Sequence, residues 1–539
     1  MKLKFINIRL LLIIISALLS AIFLFEQKEL FHIDELFSFG TANGENGVYL
    51  YQNVEEIDNK LISGKVFKDY LTQTPKSSFK RMIGQLKYDN HMPLYFILLR
   101  SVNSFFPNTH FTRTPGVILN LIILCFLITL FYNLCHKLTK DKDISLTLTT
   151  LFTFSFYVIS LEIYIRMYLL QMMVACSLII EIIKLLQTLP HKEEYKNFVF
   201  LTLISTINIL THFYSIIFCL SLTLAGFVAL FYQKRYYTIK KFLLSMLFSA
   251  ILAYILFPDM IQMGTSGERG GQFMAMLQDY LNRPIFLLKQ QLPLFIDSFF
   301  HNNIIAFASI LLSLIILKIA KQSKSQYYSY ETILFFAITF FIYGIFVSMV
   351  MPNMSSYKIR YFAPIIPIYF VLLSLVYLNF CHIVKIKKFA LCVIILIITG
   401  ISCYKESKNY NNAFYLNGTL KSRKAEKIVK GADIWWGLGG GPSHSWIIHN
   451  YIDKLATAEN VWTLVDFDNK EFLKFAKEGK EAKRYAYLMM PKNQEIQPEG
   501  AEEWIRKTTN RQGYYMFTLK NEKTAAMAFE ASIFLVCPY

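Results

Sequence analysis

Long apolar runs without charged residues recur along this chain, and they constrain its fold more than any other feature. Leu11–Phe25, Val117–Leu134 and Ile333–Met351 are three such runs of about 15–19 residues. With their flanking residues they are long enough to cross roughly 30 Å of hydrocarbon as helices. With 54% hydrophobic and only 17% charged residues, the 539-residue chain is too apolar for an ordinary soluble protein. We therefore predict an α-helical polytopic membrane protein.

The apolar runs predict about eleven transmembrane helices. They lie near residues 9–26, 115–135, 144–161, 166–186, 197–211, 213–232, 242–258, 303–320, 332–351, 361–380 and 389–404. The apolar stretch Phe198–Tyr232 is about twice the length of one span, so we expect a break at its polar cluster, Thr211–Ser215. Pro93–Phe106 is too short to cross and is expected to form an interfacial helix on the outer face.

The basic residues predict the orientation of the spans. Lysine and arginine concentrate at the N-terminus and in the connectors 136–143, 187–196, 233–241, 321–331 and 381–388. The positive-inside rule places these segments in the cytoplasm, which leaves a long first loop, about 27–114, and everything after Tyr404 outside. The formal charge of +18 is therefore explained by topology in a cytoplasmic membrane, and no basic stretch has the interleaved aromatics of a nucleic-acid module.

Residues 405–539 differ sharply in composition from the apolar part of the chain, 1–404. Strand-like runs alternate with helical ones: Asp433–Trp436, Tyr485–Met490, Tyr514–Leu519 and Ser532–Cys537 with Arg423–Lys430, Asn469–Lys477 and Ala501–Thr508. This pattern predicts a small extracytoplasmic α/β domain after the transmembrane domain. Cys403 and Cys537 both fall on the predicted outer side, and a disulfide between them is left open.

Polar residues gather where four predicted outer segments meet the spans. They are Asp34 and Glu35; Glu162, Tyr164, Arg166 and Tyr168; His212 and Tyr214; and Lys358, Arg360 and Tyr361. Because ionisable groups at membrane depth are costly, such a convergent set predicts a functional site. Each group also has a structural explanation: a solvated loop start for the acids, a helix-surface ion pair for Glu162 and Arg166, a core histidine, and an interfacial anchor for Arg360.

The order of these motifs resembles that of GT-C type polytopic glycosyltransferases, relatives of protein O-mannosyltransferases and of lipid A aminoarabinose transferases. The resemblance covers most of residues 30–370. It rests on Asp34-Glu35, Asp89-Asn90-His91-Met92-Pro93-Leu94-Tyr95-Phe96, Arg113-Thr114-Pro115, Leu161-Glu162-Ile163-Tyr164-Ile165-Arg166-Met167-Tyr168, His212-Phe213-Tyr214 and Arg360-Tyr361-Phe362-Ala363-Pro364. Met92 replaces the family's usual proline, and Tyr164 stands where the family has its glutamate, so that Glu162 comes two residues early.

The resemblance implies transfer of a hexosyl or pentosyl group from a polyprenyl-phosphate donor to a cell-envelope hydroxyl, with inversion at the anomeric carbon. Asp34 would be the general base and Glu35 would orient it, while Arg166, Arg360, Tyr361 and His212 would bind the donor phosphate. Glu162, His91, Tyr95 and Tyr168 are candidates for positioning the substrates. No cofactor is expected, and a divalent metal is conceivable without being required.

Two other functions remain open at this point. A lipid-linked glycan flippase or transporter would carry its charges within the spans, along a path through the membrane. A glycan polymerase or ligase would have its functional residues in a large late outer loop, whereas the acid pair here follows the first span. The sugar, the acceptor lipid, glycan or protein, and the oligomeric state are not specified by the sequence.

Overall fold

The computed structural model describes residues 8–28, 31–45, 60–89, 91–188, 194–265, 330–350, 356–374, 433–438, 452–464, 485–490, 514–523 and 530–538, with isolated helical positions between 271 and 293. Its chain divides into two compact units. Unit 1 comprises Met1–Phe23, Asn90–Tyr95 and Val117–Lys408, and unit 2 comprises Leu24–Asp89, Phe96–Gly116 and Asn409–Tyr539. The predicted domain boundary at 404/405 and Cys403 lie outside the described residues, so a Cys403–Cys537 disulfide stays open.

Helices account for most of the described chain before residue 375. In order they are α1 (Ile8–Gln27), α2 (Ile33–Asn43), α3 (Gly64–Leu71), α4 (Phe79–Asp89), α5 (Leu94–Asn103), α6 (Thr114–Thr139), α7 (Lys142–Thr153), α8 (Phe156–Glu162), α9 (Tyr168–Gln187), α10 (Tyr195–Ile209), α11 (Phe213–Tyr232), α12 (Tyr236–Leu256), α13 (Asp259–Thr265) and α14 (Tyr330–Val350). A 3₁₀ segment, Ser356–Ile365, follows α14, and an apolar helix occupies Arg360–Ser374. A single turn, α15 (Ile452–Leu455), lies in the C-terminal region.

Within the described residues, six helices are long and apolar enough to cross a membrane: α1, α6, α9, α11, α12 and most of α14. The pair α7 and α8, bent by 57°, would make a seventh span. Each coincides with a predicted span. The predicted span near 197–211 corresponds to the 15-residue helix α10, and those near 303–320 and 389–404 lie outside the described residues.

The break predicted near Thr211 is confirmed. Helix α10 ends at Ile209 and α11 begins at Phe213, with His212 as its N-cap. The backbone N–H of Leu94, at the start of α5, donates to the carbonyl of Leu210 at 3.1 Å. This hydrogen bond satisfies a carbonyl at the end of α10. Helix α5 has 10 residues, or about 15 Å of helix, which is half of what a span requires.

The core of unit 1 is built around α9, whose apolar window is 83% buried. Helices α10 and α12 approach each other through small polar residues. The hydroxyls of Thr202 and Thr206 lie 3.3 Å from the carbonyl oxygens of Ser245 and Ser249, which share each proton with a nearer carbonyl of α10. Hydrogen bonds of this kind hold membrane helices together because lipid tails offer no competing partner. Unit 1 is thus a helical bundle with polar contacts between its members.

Two further contacts join helix ends of unit 1 that the sequence assigns to the cytoplasm. Arg9 at the start of α1 pairs with Asp143 at the start of α7 at 2.8 Å. Arg235, before α12, donates through Nη1 to the carbonyls of Leu185 and Leu186 at 2.9 and 3.3 Å. These carbonyls close the last turn of α9, which has no further helical donors for them.

Unit 2 contains a six-stranded sheet. Its strands are β1 (Lys60–Ser63), β2 (Asp433–Leu438), β3 (Asn460–Leu464), β4 (Tyr485–Met490), β5 (Tyr514–Lys523) and β6 (Glu530–Pro538), in the spatial order β1-β3-β2-β4-β6-β5. Strand β2 is parallel to β3 and β4, and the other neighbours are antiparallel. All four strands predicted in the C-terminal region are present. Strand β3 was not predicted from the sequence. The three predicted helical runs lie outside the described residues.

The edge strand β1 comes from the first loop, some 400 residues away along the chain from its partner. Lys60 pairs with Thr463 and Ser63 with Asn460 in an antiparallel register. The predicted domains, 1–404 and 405–539, place the first loop and the C-terminal region apart. Strand β1 of the first loop nevertheless pairs with β3 of the C-terminal region.

Replacing Arg235 with glutamine is expected to lower the thermal midpoint of the detergent-purified protein. Arg235 is 9% exposed, and its charge-assisted hydrogen bonds to the end of α9 are worth about 1.5–3 kcal/mol. The matched control is Arg9→Gln, because the Arg9–Asp143 pair is largely exposed and such pairs contribute little. Equal midpoints for the two variants would contradict a structural role for Arg235.

Candidate functional site

The turn between α8 and α9 in unit 1 carries two of the predicted site residues. Helix α8 ends at Glu162 and α9 begins at Tyr168. The side-chain amide of Asn120, on α6, donates to the carbonyls of Glu162 and Tyr164 at 2.8 and 3.0 Å. Because backbone carbonyls in an apolar bundle must find donors inside the protein, Asn120 fixes the shape of this turn.

Arg166 leaves this turn as a buried cation, with 3% of its surface exposed. Its Nη2 lies 2.8 Å from Nε2 of His91. A guanidinium group only donates, so Nε2 of His91 must be the acceptor and the ring proton lies on Nδ1. The hydrogen bond therefore holds His91 neutral and fixes the direction of Arg166.

Arg360, in contrast, is partly exposed. Its Nη1 donates to the hydroxyl of Tyr164 at 2.8 Å and its Nη2 to the hydroxyl of Tyr361 at 3.0 Å. Its guanidinium carbon lies 4.9 Å from the ring centroid of Tyr361, 5.8 Å from that of Tyr168 and 5.9 Å from that of Tyr164. Cations at these distances from aromatic faces are stabilised by the ring quadrupole. Three tyrosines thus surround one guanidinium group.

The backbone beneath Arg360 is held by α14. The hydroxyl of Tyr343, a fully buried residue, donates to the carbonyl of Tyr361 at 2.7 Å. A carbonyl in a 3₁₀ segment that contains Pro364 has fewer helical donors available to it. Tyr343 is therefore a positioning residue for Arg360 and Tyr361.

His212 links the two arginine regions. As the N-cap of α11 it accepts a hydrogen bond at Nδ1 from the backbone N–H of Tyr214 at 3.0 Å, which leaves Nε2 to carry the proton of the neutral ring. The centroid of the His212 ring lies 5.1 Å from that of Tyr214, 5.5 Å from that of Tyr168 and 6.4 Å from that of His91. The contacts form one continuous group, the arginine–tyrosine cluster: His91, Tyr164, Arg166, Tyr168, His212, Tyr214, Arg360 and Tyr361.

Two predicted residues have other surroundings. Glu162 is 2% exposed, and within the described chain its carboxylate makes no ion pair with Arg166. The helix-surface ion pair considered as the structural explanation for these two residues is therefore not formed, because α8 ends at Glu162 and the pair does not share a helix face. The substrate-positioning role of Glu162 stays a prediction. Tyr95 is completely buried in α5, and its suggested role with substrate stays a prediction.

The acid pair of unit 2 begins helix α2. His32 is the N-cap, and its Nδ1 accepts from the N–H of Asp34 at 3.0 Å while Oε2 of Glu35 accepts from the N–H of His32 at 2.8 Å. This reciprocal arrangement is a capping box, in which histidine replaces the usual serine or threonine. The order His32-Ile33-Asp34-Glu35 thus starts a helix and fixes the first turn that carries the acids.

Glu35 and Asp34 differ in their environments. Glu35 is fully buried, and its Oε1 lies 2.5 Å from Nζ of Lys28. Burial lowers the pKa of Lys28, an effect that the charge and hydrogen bond of Glu35 oppose. The Asp34 side chain is 21% exposed, and its Oδ2 lies 3.5 Å from Nδ1 of His32. Because that nitrogen already accepts from the Asp34 N–H, the neutral ring cannot donate to the carboxylate.

The segment before α6 closes onto the same region of unit 2. Arg113 donates through Nη1 to the carbonyl of Lys28 at 2.5 Å and lies 3.9 Å from the carboxylate of Glu26. Phe111 packs against Phe31 and Phe39 with centroid distances of 5.8 and 5.0 Å. The Arg113-Thr114-Pro115 motif thereby fixes the chain where it leaves the first span.

Four residues of the site had no role assigned from the sequence: Tyr164, Tyr214, Asn120 and Tyr343. Tyr164 lies in the motif Leu161–Tyr168, where it replaces the glutamate of the GT-C pattern. That replacement was the sequence signal for a role of Tyr164. Asn120 and Tyr343 lie inside apolar spans, where an isolated amide or phenol is costly unless it has a partner. Their isolation was the only sequence signal for them.

No group of three or more histidine, cysteine, aspartate or glutamate side chains in the described ranges is arranged to hold a metal ion.

Comparison with known proteins found similarity in structure only. No family model and no curated protein matches the sequence. ArnT from Cupriavidus metallidurans bound to undecaprenyl phosphate aligns over 97% of each chain, with 11% identity and a TM-score of 0.49. Its apo state aligns over 83% of this chain and 87% of its own, with 11% identity and a TM-score of 0.41. The Archaeoglobus fulgidus oligosaccharyltransferase complex with zinc and sulfate aligns over 94% of this chain and 72% of its own, with 12% identity and a TM-score of 0.39.

Since all three TM-scores lie below 0.5, neither a residue role nor a substrate is carried over from these proteins.

The hydrogen bond between His91 and Arg166 is expected to give a large coupling in a double-mutant cycle. His91→Ala alone removes the acceptor of a buried guanidinium, and His91→Ala with Arg166→Ala removes both partners. The unfolding free energies of the two single variants and the double variant should deviate from additivity by about 1–3 kcal/mol, measured in detergent. Additivity within about 0.5 kcal/mol would contradict this pairing.

Proposed function

We propose that this protein is a membrane glycosyltransferase that moves a sugar from a polyprenyl-phosphate donor to a hydroxyl of a cell-envelope acceptor. The observation that carries the proposal is the arginine–tyrosine cluster. Its central guanidinium, Arg360, is held by two phenol hydroxyls and three aromatic rings and remains partly exposed. An oriented guanidinium group that can still reach a ligand suits a phosphate, which it binds through paired, charge-assisted hydrogen bonds.

The cluster would act on the leaving group of the reaction. When the bond between the anomeric carbon and the phosphate oxygen breaks, negative charge grows on the phosphate. Preorganised donors lower the barrier because they need no reorientation as this charge develops. Arg360 is the contact residue in this proposal, with the Tyr361 hydroxyl and Nε2–H of His212 as further donors. Buried Arg166 contributes positive charge, and His91 positions it.

Asp34 is proposed as the general base. The acceptor hydroxyl oxygen would bond to the anomeric carbon from the side opposite the phosphate, its proton would pass to the Asp34 carboxylate, and polyprenyl phosphate would leave. Inversion follows from this single displacement. Of the two acids, Asp34 has the partly exposed carboxylate, while Glu35 is occupied by Lys28 and the N-cap of α2. Glu35 is accordingly a positioning residue.

The orientation proposed from the basic connectors belongs with this function. The N-terminus would be cytoplasmic and the C-terminal sheet extracytoplasmic, where lipid-linked sugars meet envelope acceptors. The Arg9–Asp143 and Arg235–Leu185 contacts support it, since they join segments that the charge pattern assigns to one side. The predicted boundaries 1–404 and 405–539 stay a proposal. The donor sugar and the acceptor are left to experiment.

Asp34→Asn is expected to abolish transfer without reducing membrane insertion. Loss of a general base costs about 10²–10⁴-fold in rate, whereas the amide keeps the size of the side chain. Transfer would be measured in membranes supplied with radiolabelled polyprenyl-phosphate sugars and envelope extract. Asp143→Asn, at an exposed acid of another helix, is the matched control. Full activity of Asp34→Asn would remove Asp34 from catalysis.

Tyr164→Phe is expected to weaken binding of undecaprenyl phosphate, because Arg360 loses one of its two hydroxyl acceptors. A lost hydrogen bond to a charged group of about 1.5–3 kcal/mol corresponds to a Kd raised by roughly tenfold or more. Tyr254→Phe, on an exposed face of α12, serves as the control for losing a phenol. Affinity would be measured by titrating the purified protein, and equal affinities for both variants would contradict the role of Tyr164.

A further inference from the structure

Strand β1 connects the C-terminal sheet to the helix that carries Asp34 through a short series of contacts. Gly64, the first residue of α3, donates its N–H to the carbonyl of Glu459 at 3.0 Å. A Cβ added at Gly64 would lie 1.9 Å from the Ala458 carbonyl oxygen. Since a backbone atom cannot yield as a flexible side chain can, only glycine allows α3 to approach the C-terminal segment this closely.

The second step of the path is from α3 to α2. A Cβ added at Gly40, on α2, would lie 1.9 Å from Cζ of Tyr70, so the phenol ring rests directly on the helix backbone. Tyr70 is 4% exposed. At the end of both helices, the amide of Asn43 donates to the carbonyl of Leu71 at 2.9 Å. Helices α2 and α3 are therefore held together by a ring contact and a hydrogen bond.

The third step fixes the far end of α2. Arg100, 5% exposed, donates through Nη1 to the carbonyl of Ala42 at 2.7 Å and through Nη2 to the carbonyl of Ser77 at 3.0 Å. A cation at the C-terminal end of a helix also complements its dipole. With the capping box at its start, α2 is fixed at both ends.

We infer that the pairing of β1 with β3 positions α2, and with it Asp34, so that the C-terminal sheet supports the geometry of the proposed base. Gly64 and Tyr70 are the positioning residues that transmit this support. The inference rests on the proposed function for the role of Asp34, although the mechanical link between the sheet and α2 stands independently of it. A displacement of α2 by about 1 Å would be enough to slow a transfer step by roughly 100-fold.

Gly64→Ala in the full-length protein tests the first step, with Gly84→Ala as a matched control. Gly84 lies in α4, and an added Cβ there meets nothing within 4 Å. Hydrogen exchange of residues 33–43 would be measured in detergent for both variants. We expect faster exchange across 60–71 and 33–43 in Gly64→Ala and no change in Gly84→Ala. Faster exchange confined to 60–71 and 452–464 would overturn the inference.

Tyr70→Ala tests the second step without altering the strand pairing, and decides the question if Gly64→Ala is not recovered from membranes. Exchange in 33–43 should rise, and Tyr70→Phe, which keeps the ring, should restore it. Unchanged exchange in Tyr70→Ala would overturn the inference.

Transfer assays separate the two proposals. Both Gly64→Ala and Tyr70→Ala should lower kcat by about 10- to 100-fold, while the donor KM changes by less than about twofold. Such a pattern indicates that the Asp34 carboxylate is misplaced and that donor binding is not weakened. An inactive wild-type chain would refute the proposed function while the exchange data still decide the link.

Discussion

A guanidinium group buried among apolar helices must retain its partners, and the architecture of unit 1 follows from that requirement. Arg166 is paired with the neutral ring of His91, which belongs to the segment before α5, and the turn that carries Arg166 is closed by Asn120 of α6. Losing either contact would remove a hydrogen bond from a buried polar group, at a cost of about 1–3 kcal/mol. Three separate chain segments are thereby fixed relative to one another.

The same requirement explains why Arg360 and Arg166 suit different tasks. Arg166 has its partner inside the protein and is almost inaccessible, so its contribution is charge and rigidity. Arg360 donates to two phenol hydroxyls, rests on backbone that Tyr343 fixes, and is partly exposed. An oriented and partly exposed guanidinium group is compatible with the phosphate-binding role proposed for it.

Sequence reasoning succeeded where the signal was local. The break between α10 and α11 was visible as polar residues interrupting an apolar run. The helix that begins at Ile33 was not predicted. The spacing of four between Glu162 and Arg166 left open a helix-surface ion pair, which the structure does not have. Helix α8 ends at Glu162, and Tyr164 instead reaches Arg360, 196 residues further along the chain. No periodicity encodes a partner at that distance.

The sequence by itself determined the apolar helices, their breaks and four strands of the C-terminal sheet. Each of these depends on hydrophobic period, length or capping within a short window, and such preferences act before distant segments meet. Only the tertiary structure decided that β1 completes that sheet, that His91 accepts from Arg166 and that tyrosines surround Arg360. The physical reason is that an isolated polar group or strand edge must be satisfied, but many residues of the chain could satisfy it. Packing of the whole chain selects which one does.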